Sequence, residues 1–236
     1  MLLPFPGPLL NATFLRRRQR FLADVRLADG RETTAHCANT GSMRGLLTAG
    51  AAALLWDSGD PARKLPLSLK ALQADGVWVG VDTQLPNRLV AAAIAAGEVP
   101  ALAGYPEQRP EAPCGPGTRL DLLLTGRADL PPCWVEVKNV TLVEAGVALF
   151  PDAVTTRGRK HLGVLADRVR AGERAAMVYL VQRGDGRSFA PAAAIDPAYA
   201  EALRQAAAHG VEVYALGATV TPAGVATTGL VPVRLG

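Results

Sequence analysis

Three charged residues stand inside apolar sequence at a spacing that could hold a divalent metal: Asp121, Glu136 and Lys138. Asp121 lies in residues 117–124 (GTRLDLLL), the other two lie in residues 133–142 (CWVEVKNVTL), and both segments are predicted strands. Because side chains alternate along a strand, Glu136 and Lys138 share a face, and pairing of the two strands can place Asp121 beside Glu136. Carboxylate oxygens suit Mg²⁺ or Mn²⁺, and a lysine can activate water or stabilise a phosphoryl transition state.

The same pattern also has a plainer interpretation. An E-x-K triplet is expected about once by chance in such a chain, and it can mark a strand with one wet face or a cross-strand ion pair. Asp121 favours the metal site, because a carboxylate among leucines is costly to bury without a cation or donor. Two further polar residues could join the site: Glu111, the nearby carboxylate of the irregular segment 104–117, and Gln182, at the end of a predicted strand.

Composition places the chain among ordinary globular proteins. Its 236 residues are 49% hydrophobic and 19% charged, which allows one large domain or two small ones. A net charge of +4 permits a polyanionic partner without requiring one, and 5% aromatic residues do not indicate an extended base-stacking surface. The three cysteines include no C-x-x-C pair, which argues against a disulfide framework and a zinc ribbon and fits a reducing cytoplasm.

The N-terminal segment does not have the pattern of a secretory signal. Its basic run follows the apolar residues instead of preceding them, and prolines interrupt the apolar part. The most apolar windows, residues 45–56 and 89–97, are too short to span a bilayer. We therefore expect a cytoplasmic protein with no membrane partner.

Residues 1–84 are predicted to form a small β-barrel. A strand with apolar/polar alternation ends at Leu27, before an Asp29-Gly30 turn. Further strands are predicted at residues 31–37, 45–58, 64–72 and 76–83. Short strands joined by turns, without a convincing helix, favour an OB-type barrel of about five strands, a fold that often binds nucleic acid.

Two basic clusters are candidates for contact with nucleic-acid phosphates. They are Arg16, Arg17, Arg18 and Arg20 at the entrance to the barrel, and Arg157, Arg159, Lys160 and His161 at the start of a predicted helix. The alternative is that the first cluster protects a strand edge and that the second is an exposed positive turn. Four cations in five positions exceed what edge protection needs, so we expect contacts to a nucleic-acid backbone that do not depend on sequence.

Residues 85–236 are predicted to form a mixed α/β domain. Helices are predicted at residues 85–96, 157–171 and 197–209, strands at 175–183 and 211–216, and a loop at 144–156. Together with the two strands that carry the acidic residues, this order predicts a central sheet flanked by helices.

Several longer phrases resemble one protein family. They are HCANTGSM (residues 36–43), ARKL (62–65), WVGVDTQLPNRLV (78–90), GTRLDLLL (117–124), VEVKNVTL (135–142), ALFPDAVTTRGRKHL (148–162) and VQR (181–183). In this order they are similar to the sugar fermentation stimulation protein A family, over most of the chain. The order of helices and strands around Asp121 and the E-x-K triplet also resembles the PD-(D/E)xK nuclease-like fold.

The resemblance implies an OB-type N-terminal domain, a PD-(D/E)xK-like C-terminal domain, bacterial or archaeal cytoplasm, and DNA binding. By motif, Asp121, Glu136 and Lys138 would form a nuclease-type triad with Mg²⁺ or Mn²⁺, with Glu111 as a helper carboxylate and Gln182 as a polar accessory. The chain departs from the family pattern at three positions, where Ala38, Asp82 and Val164 stand in place of proline, asparagine and glutamate.

Two functions follow from these expectations. The first is a metal-dependent nuclease that uses the triad. The second is a non-catalytic DNA-binding regulator of sugar metabolism, maltose in particular, built on an inherited nuclease fold. DNA binding is common to both, and the sequence leaves the oligomeric state open, with a homodimer as one alternative.

Overall fold

The structure, a computed structural model, describes residues 1–115 and 117–236. The elements of the first part are β1 (Leu2–Pro4), β2 (Leu9–Arg18), β3 (Leu22–Leu27), β4 (Glu32–His36), β5 (Ala52–Asp57), β6 (Leu67–Ala74) and β7 (Val77–Gly80). Those of the second part are α1 (Leu85–Ala95), β8 (Glu107–Pro113), β9 (Arg119–Thr125), β10 (Cys133–Val140), β11 (Leu142–Glu144), β12 (Val147–Phe150), α2 (Thr156–Arg170), β13 (Arg174–Val181), β14 (Ser188–Pro191), α3 (Pro197–Ala208), β15 (Glu212–Thr221) and β16 (Gly224–Val231). A short 3₁₀ helix, Pro100–Leu102, follows α1.

The N-terminal strands close into a barrel, as predicted. Their order is β4-β3-β2-β5-β6-β7, and a parallel contact of His36 with Ser68 joins β4 to β6 and closes the ring. Apolar side chains fill the interior, among them Phe14, Val25 and Leu55, each at most 1% exposed. The predicted strand at residues 45–58 is shorter in the structure, because Gly45 and Gly50 adopt positive φ angles that break the extended chain before Ala52.

The second domain is a seven-stranded mixed sheet between helices, which confirms the predicted fold class. Its order is β1-β16-β15-β13-β10-β9-β8, with β10, β13 and β15 parallel. The alternation of β10 divides its side chains between two cores. Val135 and Val137 pack with α1, whereas Trp134 and Val140 pack with α2 and α3. Glu136 and Lys138 therefore project on the α2 side of the central strand.

Several strands in the structure are not predicted from the sequence. Segment 104–117 contains β8, and its prolines are tolerated because β8 is an edge strand. The predicted loop at residues 144–156 contains β12, which pairs with β11 and β14 in a small separate sheet. The first strand, β1, pairs with β16 and so adds residues 2–4 to the sheet of the second domain. Among the described residues, no helix is both long and apolar enough to cross a membrane.

The two domains meet through backbone contact between β7 and the end of β13. The amide of Gly80 donates to the carbonyl of Gln182 at 3.1 Å, and Val79 forms a β-bridge with Arg183. Arg183 is 3% exposed and its guanidinium contacts Asp75 of the barrel, Asp185 and the carbonyl of Thr141. These contacts tie the barrel to the sheet that carries the acidic residues.

This junction predicts an opposite response of two glycines to alanine. A Cβ at Gly80 would lie 2.2 Å from Oε1 of the buried Gln182, whereas a Cβ at Gly163 on α2 would meet nothing within 4 Å. Gly80→Ala should lower the free energy of unfolding by about 1–3 kcal/mol through overpacking. The matched control Gly163→Ala should raise it by up to about 1 kcal/mol through helix propensity. Urea denaturation measures both, and equal stability of the two variants would contradict the packing at the junction.

Candidate metal centre and nucleic-acid interface

The register of β9 and β10 brings Asp121 and Glu136 together, as the strand pattern predicts. The antiparallel pairs run to Leu122 opposite Val135, so Asp121 and Glu136 follow as the next two facing residues. At this point Oδ2 of Asp121 accepts a hydrogen bond from the amide of Val137 at 2.7 Å. Two carboxylates are thus held on neighbouring strands by the backbone itself.

Asp121 is partly buried and has donors on both oxygens. In addition to the Val137 amide, Nδ2 of Asn87 at the start of α1 donates to Oδ1 at 2.8 Å. Burial, together with the negative charge of Glu136, nevertheless raises the pKa of Asp121 to about 6. The carboxylate therefore lacks sufficient compensating positive charge, although its hydrogen bonds are good.

Glu136 is 2% exposed and its two oxygens differ sharply. Oε1 contacts both Nζ of Lys138 and Nδ1 of His161. Burial alone would raise the pKa of Glu136, but the His161 hydrogen bond and the Lys138 charge outweigh it, so the net pKa is lowered. Oε2 is buried and has no hydrogen-bond partner among the described residues. An ionised carboxylate with one unpartnered oxygen is costly in a protein interior unless a cation meets it.

His161 occupies a position that the sequence does not predict. The sequence pattern makes His161 a candidate either for contact with nucleic-acid phosphate or for an exposed turn, but the ring is buried and bonded to Glu136. Nε of Arg157 donates to its Nε2 at 3.4 Å, and the two bonds together fit the neutral ring with its proton on Nδ1. The sequence predicts that Arg157 and His161 are neighbours, because residues four apart on a helix lie on the same face. That this face of α2 packs over Glu136 depends on tertiary packing.

A cavity of about 710 Å³ opens beside Asp121. Its acidic, basic and histidine lining side chains are Glu111, Arg119, Asp121, Arg157, Lys160 and His161. Three of these are permanent cations, of which Arg119 is not among the predicted residues. Glu111 lies across from Asp121 on β8 and has φ of 49°, a left-handed conformation that costs about 1–2 kcal/mol outside glycine. The cavity therefore combines the carboxylates of Glu111 and Asp121 with the cations of Arg119, Arg157 and Lys160.

The carboxylates of Asp121 and Glu136 fit a divalent cation that keeps part of its hydration shell. Among the described residues, no group of three or more His, Cys, Asp or Glu side chains is arranged to hold a metal. Mg²⁺ typically needs only one or two protein carboxylates, because waters and substrate oxygens complete its octahedron. Asp121, with its raised pKa, and the unpartnered Oε2 of Glu136 supply such a pair.

Gln182 does not contact the triad in this structure. Its Nε2 donates to Oδ1 of Asn139 at 2.7 Å, and its side chain abuts Gly80 of the barrel. The residue that pairs with Glu136 on the neighbouring strand is Met177, well before Gln182 in the chain. The accessory role of Gln182 in chemistry stays a prediction, and its observed contacts belong to the domain junction.

The predicted basic clusters divide into residues with internal partners and residues at the cavity. Arg16 and Arg18 both pair with Asp24, at 2.9 and 2.7 Å. Arg17 donates to backbone carbonyls of the loop after β4, and Arg20 is exposed.

The second cluster, at the start of α2, is divided in a similar way. Arg159 pairs with Asp196 before α3 at 3.4 Å. Arg157 and Lys160 line the cavity instead.

Two of the three departures from the family pattern have local partners. Asp82 pairs with Lys70 at 2.6 Å, and its other oxygen accepts from the amide of Gln84, so the added charge is neutralised at the domain boundary. Val164 is half-buried on α2 and packs against the core of the second domain. A glutamate is therefore absent from this turn of α2.

Comparisons with known proteins cover both domains. Residues 15–81 match the family model described as the SfsA N-terminal OB domain, and residues 84–224 match the sugar fermentation stimulation protein RE domain. The chain is 53% identical over 231 residues to a sugar fermentation stimulation protein homolog of Geobacter sulfurreducens, covering 98% of each chain. It is 54% identical over 226 residues to one of Rhodospirillum centenum, covering 94% of this chain and 95% of that one.

A solved structure agrees with the fold. The structure of Pyrococcus furiosus SfsA in complex with Ca²⁺ superposes with a TM-score of 0.88 at 28% sequence identity. The match covers 99% of this chain and 98% of that chain. An N-terminal OB domain followed by a C-terminal α/β domain is therefore the architecture of this protein.

The raised pKa of Asp121 predicts a pH-dependent effect of Asp121→Asn on stability without metal. The folded pKa of about 6 exceeds the unfolded value of 3.8, so the native state loses stability as pH rises from about 4 to 6 and the full penalty applies above that range. The variant removes this penalty, at most about 3 kcal/mol. In urea denaturation with a chelator, it should be more stable than wild type at pH 8 and equal at pH 4. A variant that is less stable at both pH values would contradict this environment.

Proposed function

This chain belongs to the sugar fermentation stimulation protein family, and we propose that it binds DNA and hydrolyses phosphodiester bonds with a divalent cation at Asp121 and Glu136. The observation that carries the proposal is the buried, unpartnered Oε2 of Glu136 beside a second carboxylate whose pKa is raised. A structural carboxylate pair would normally be compensated within the fold. Here Asp121, the second carboxylate of the pair, lines a cavity together with Arg119, Arg157 and Lys160.

The proposed cation is Mg²⁺ or Mn²⁺. The related Pyrococcus furiosus structure contains Ca²⁺, another oxygen-preferring divalent ion, which supports a site of this class in this chain. When bound, such an ion polarises a phosphoryl oxygen and lowers the pKa of its water ligand. Asp121 and Oε2 of Glu136 would hold it.

The remaining side chains would position Glu136 and the substrate. Lys138 and His161 hold Oε1 of Glu136, which leaves Oε2 for the cation. Lys138 is half-buried and would exchange part of this contact for the attacking water or the phosphate charge. Arg119, Arg157 and Lys160, which line the cavity, would bind the phosphates on either side of the reacting phosphate.

A second candidate function is a non-catalytic DNA-binding regulator of sugar metabolism. It is favoured by the closed ion pair between Lys138 and Glu136, since a lysine that only neutralises a buried glutamate performs no chemistry. The same basic cavity and barrel would then bind the DNA backbone, and the acidic pair would be structural.

Cleavage of labelled DNA separates the two functions. Purified wild type, Asp121→Ala and Lys138→Ala would be incubated with single-stranded, duplex and branched DNA, and with RNA, in Mg²⁺ or Mn²⁺. We expect wild type to cleave at least one substrate and each variant to lose activity on the order of 100-fold, because each loses a group that acts on the transition state. Binding of the uncleaved substrate in Ca²⁺ should persist in both variants.

The cleavage and binding results together decide between the nuclease and the non-catalytic regulator. A wild type that binds DNA but leaves every substrate intact in both metals would favour the regulator. Equal cleavage by wild type and both variants would assign the activity to another site or to a contaminant.

The salt dependence of DNA binding tests the interface. Arg157 and Lys160 line the cavity without a carboxylate partner among the described residues, whereas Arg16 already pairs with Asp24. Arg157→Ala with Lys160→Ala should weaken binding and reduce the slope of log K against log salt by about 2, one for each phosphate that the variant no longer neutralises. Arg16→Ala, as the comparison, should change the slope less. If Arg16→Ala reduced the slope more than the double variant does, the main DNA interface would be assigned to the barrel.

A further inference from the structure

A second, smaller cavity lies where the two domains meet, apart from the acidic site. Its volume is about 190 Å³. We call it the junction cavity and define it by six of the residues that line it: Asn39, Thr83, Asn139, Thr141, Phe150 and Asp152. It is smaller than pockets for drug-sized ligands, which are about 300–1,000 Å³. The space suits one small ring or a compact polar molecule.

The walls of the junction cavity combine hydrogen-bonding groups with an aromatic ring. Amide, hydroxyl and carboxylate side chains come from Asn39, Thr83, Asn139 and Asp152, while the Phe150 ring lines the apolar side. That ring also packs against Tyr179 and Tyr199, with centroids 5.6 and 5.2 Å away. Among the described lining residues there is no lysine or arginine, and Asp152 would repel a phosphate.

The barrel side of the junction cavity is held rigid by Arg17. Its guanidinium donates to the carbonyls of Asn39, Gly41 and Ser42 at 3.3, 2.8 and 3.1 Å. Within the loop, Oδ1 of Asn39 accepts from the amide of Gly41 at 2.9 Å. An arginine in the predicted phosphate-binding cluster is therefore used to shape this loop, which pre-organises one wall of the cavity.

The opposite wall contains hydrogen-bonding capacity that the fold does not use. Nε2 of the fully buried Gln182 donates to Oδ1 of Asn139, and Nδ2 of Asn139 is buried without a partner among the described residues. If both amides were flipped, Asn139 would still keep one unpartnered polar atom. Buried polar atoms without partners are rare in native proteins, and a ligand or ordered water normally satisfies them.

The junction cavity and the acidic site lie on the same strand. Asn139 on β10 and Thr141 just after it project away from Lys138, because side chains alternate along the chain. The Phe150 ring of the same cavity, however, packs against Tyr179, which pairs with Lys138 on the neighbouring strand, so the cavity borders the face of the sheet that carries Glu136 and Lys138. A single-stranded nucleic acid with a phosphate at Glu136 could therefore extend one of its nucleotides toward the domain junction.

We propose that the junction cavity binds an unpaired nucleobase of the nucleic acid whose backbone lies at the acidic site. The Asp152 carboxylate accepts from base N–H groups, the Asn139 amide and Thr141 hydroxyl bond to the carbonyl oxygens and ring nitrogens of the base, and the base packs against Phe150. Cations of the larger cavity bind phosphates and the junction cavity, which has no such cation among its described lining residues, binds the base. The inference rests on the proposed nucleic-acid function and adds a requirement for a base outside a duplex.

The test compares two short single strands that differ only in their bases. One carries normal bases, the other has tetrahydrofuran abasic units throughout and the same phosphates. Dissociation constants would be measured by fluorescence anisotropy in Ca²⁺, for wild type, Asp152→Asn, Thr141→Val and Arg157→Ala. We expect wild type to prefer the base-bearing strand by about tenfold or more, since the abasic strand keeps the phosphates and loses every base contact.

The variants then assign the preference to a cavity. Asp152→Asn and Thr141→Val should weaken binding of the base-bearing strand alone, so that the ratio of the two constants approaches one. Arg157→Ala should weaken both strands and preserve the ratio. Equal thermal unfolding of Asp152→Asn and wild type would establish that the junction is intact.

The outcomes separate this inference from the function on which it rests. Equal affinity of wild type for the two strands, or an unchanged ratio in both Asp152→Asn and Thr141→Val, would overturn the base site while nucleic-acid binding stands. Failure of wild type to bind either single strand would overturn the base site, while the proposed function would still be decided by the duplex and branched substrates.

Discussion

The buried carboxylate of Glu136 is the constraint on which the rest of the site depends. Strand β10 places it 2% exposed in the interior, where Lys138 and His161 together compensate only Oε1. The second oxygen has no partner among the described residues, and the facing strand adds Asp121 beside it. A fold selected only for stability would replace this arrangement by apolar residues at little cost. Its presence next to a basic cavity indicates a function for the charge.

The two domains contribute different chemical groups. The α/β domain supplies the carboxylates and all three permanent cations that line the larger cavity, while the barrel supplies a loop fixed by Arg17 at the junction. Contact between Gly80 and Gln182, reinforced by the buried Arg183, holds these parts in register. The domain junction is thus part of the proposed site and not only a linker between two folded units.

Local sequence pattern is sufficient to predict part of this arrangement. Strand alternation predicts that Asp121 meets Glu136, and turn spacing predicts a barrel before residue 84. The role of His161 cannot be read from sequence, because it depends on α2 packing across β10. The edge strand β8 cannot be predicted from its sequence, because it contains prolines, which are rare in strands. Strand β1 cannot be predicted either, because its pairing partner, β16, lies at the other end of the chain. Arg17 resembles a phosphate ligand in the sequence, which shows its charge and not its hydrogen bonds to backbone carbonyls.

Calorimetric titration of Mn²⁺ into wild type and Asp121→Asn tests the central claim, a divalent-cation site at two carboxylates, most directly. Wild type should bind the ion at pH 7.5 and lose affinity as the pH falls through about 6, where Asp121 becomes protonated. Asp121→Asn should lose most of the binding at every pH. Equal binding by the two proteins, or no binding by wild type, would contradict the account.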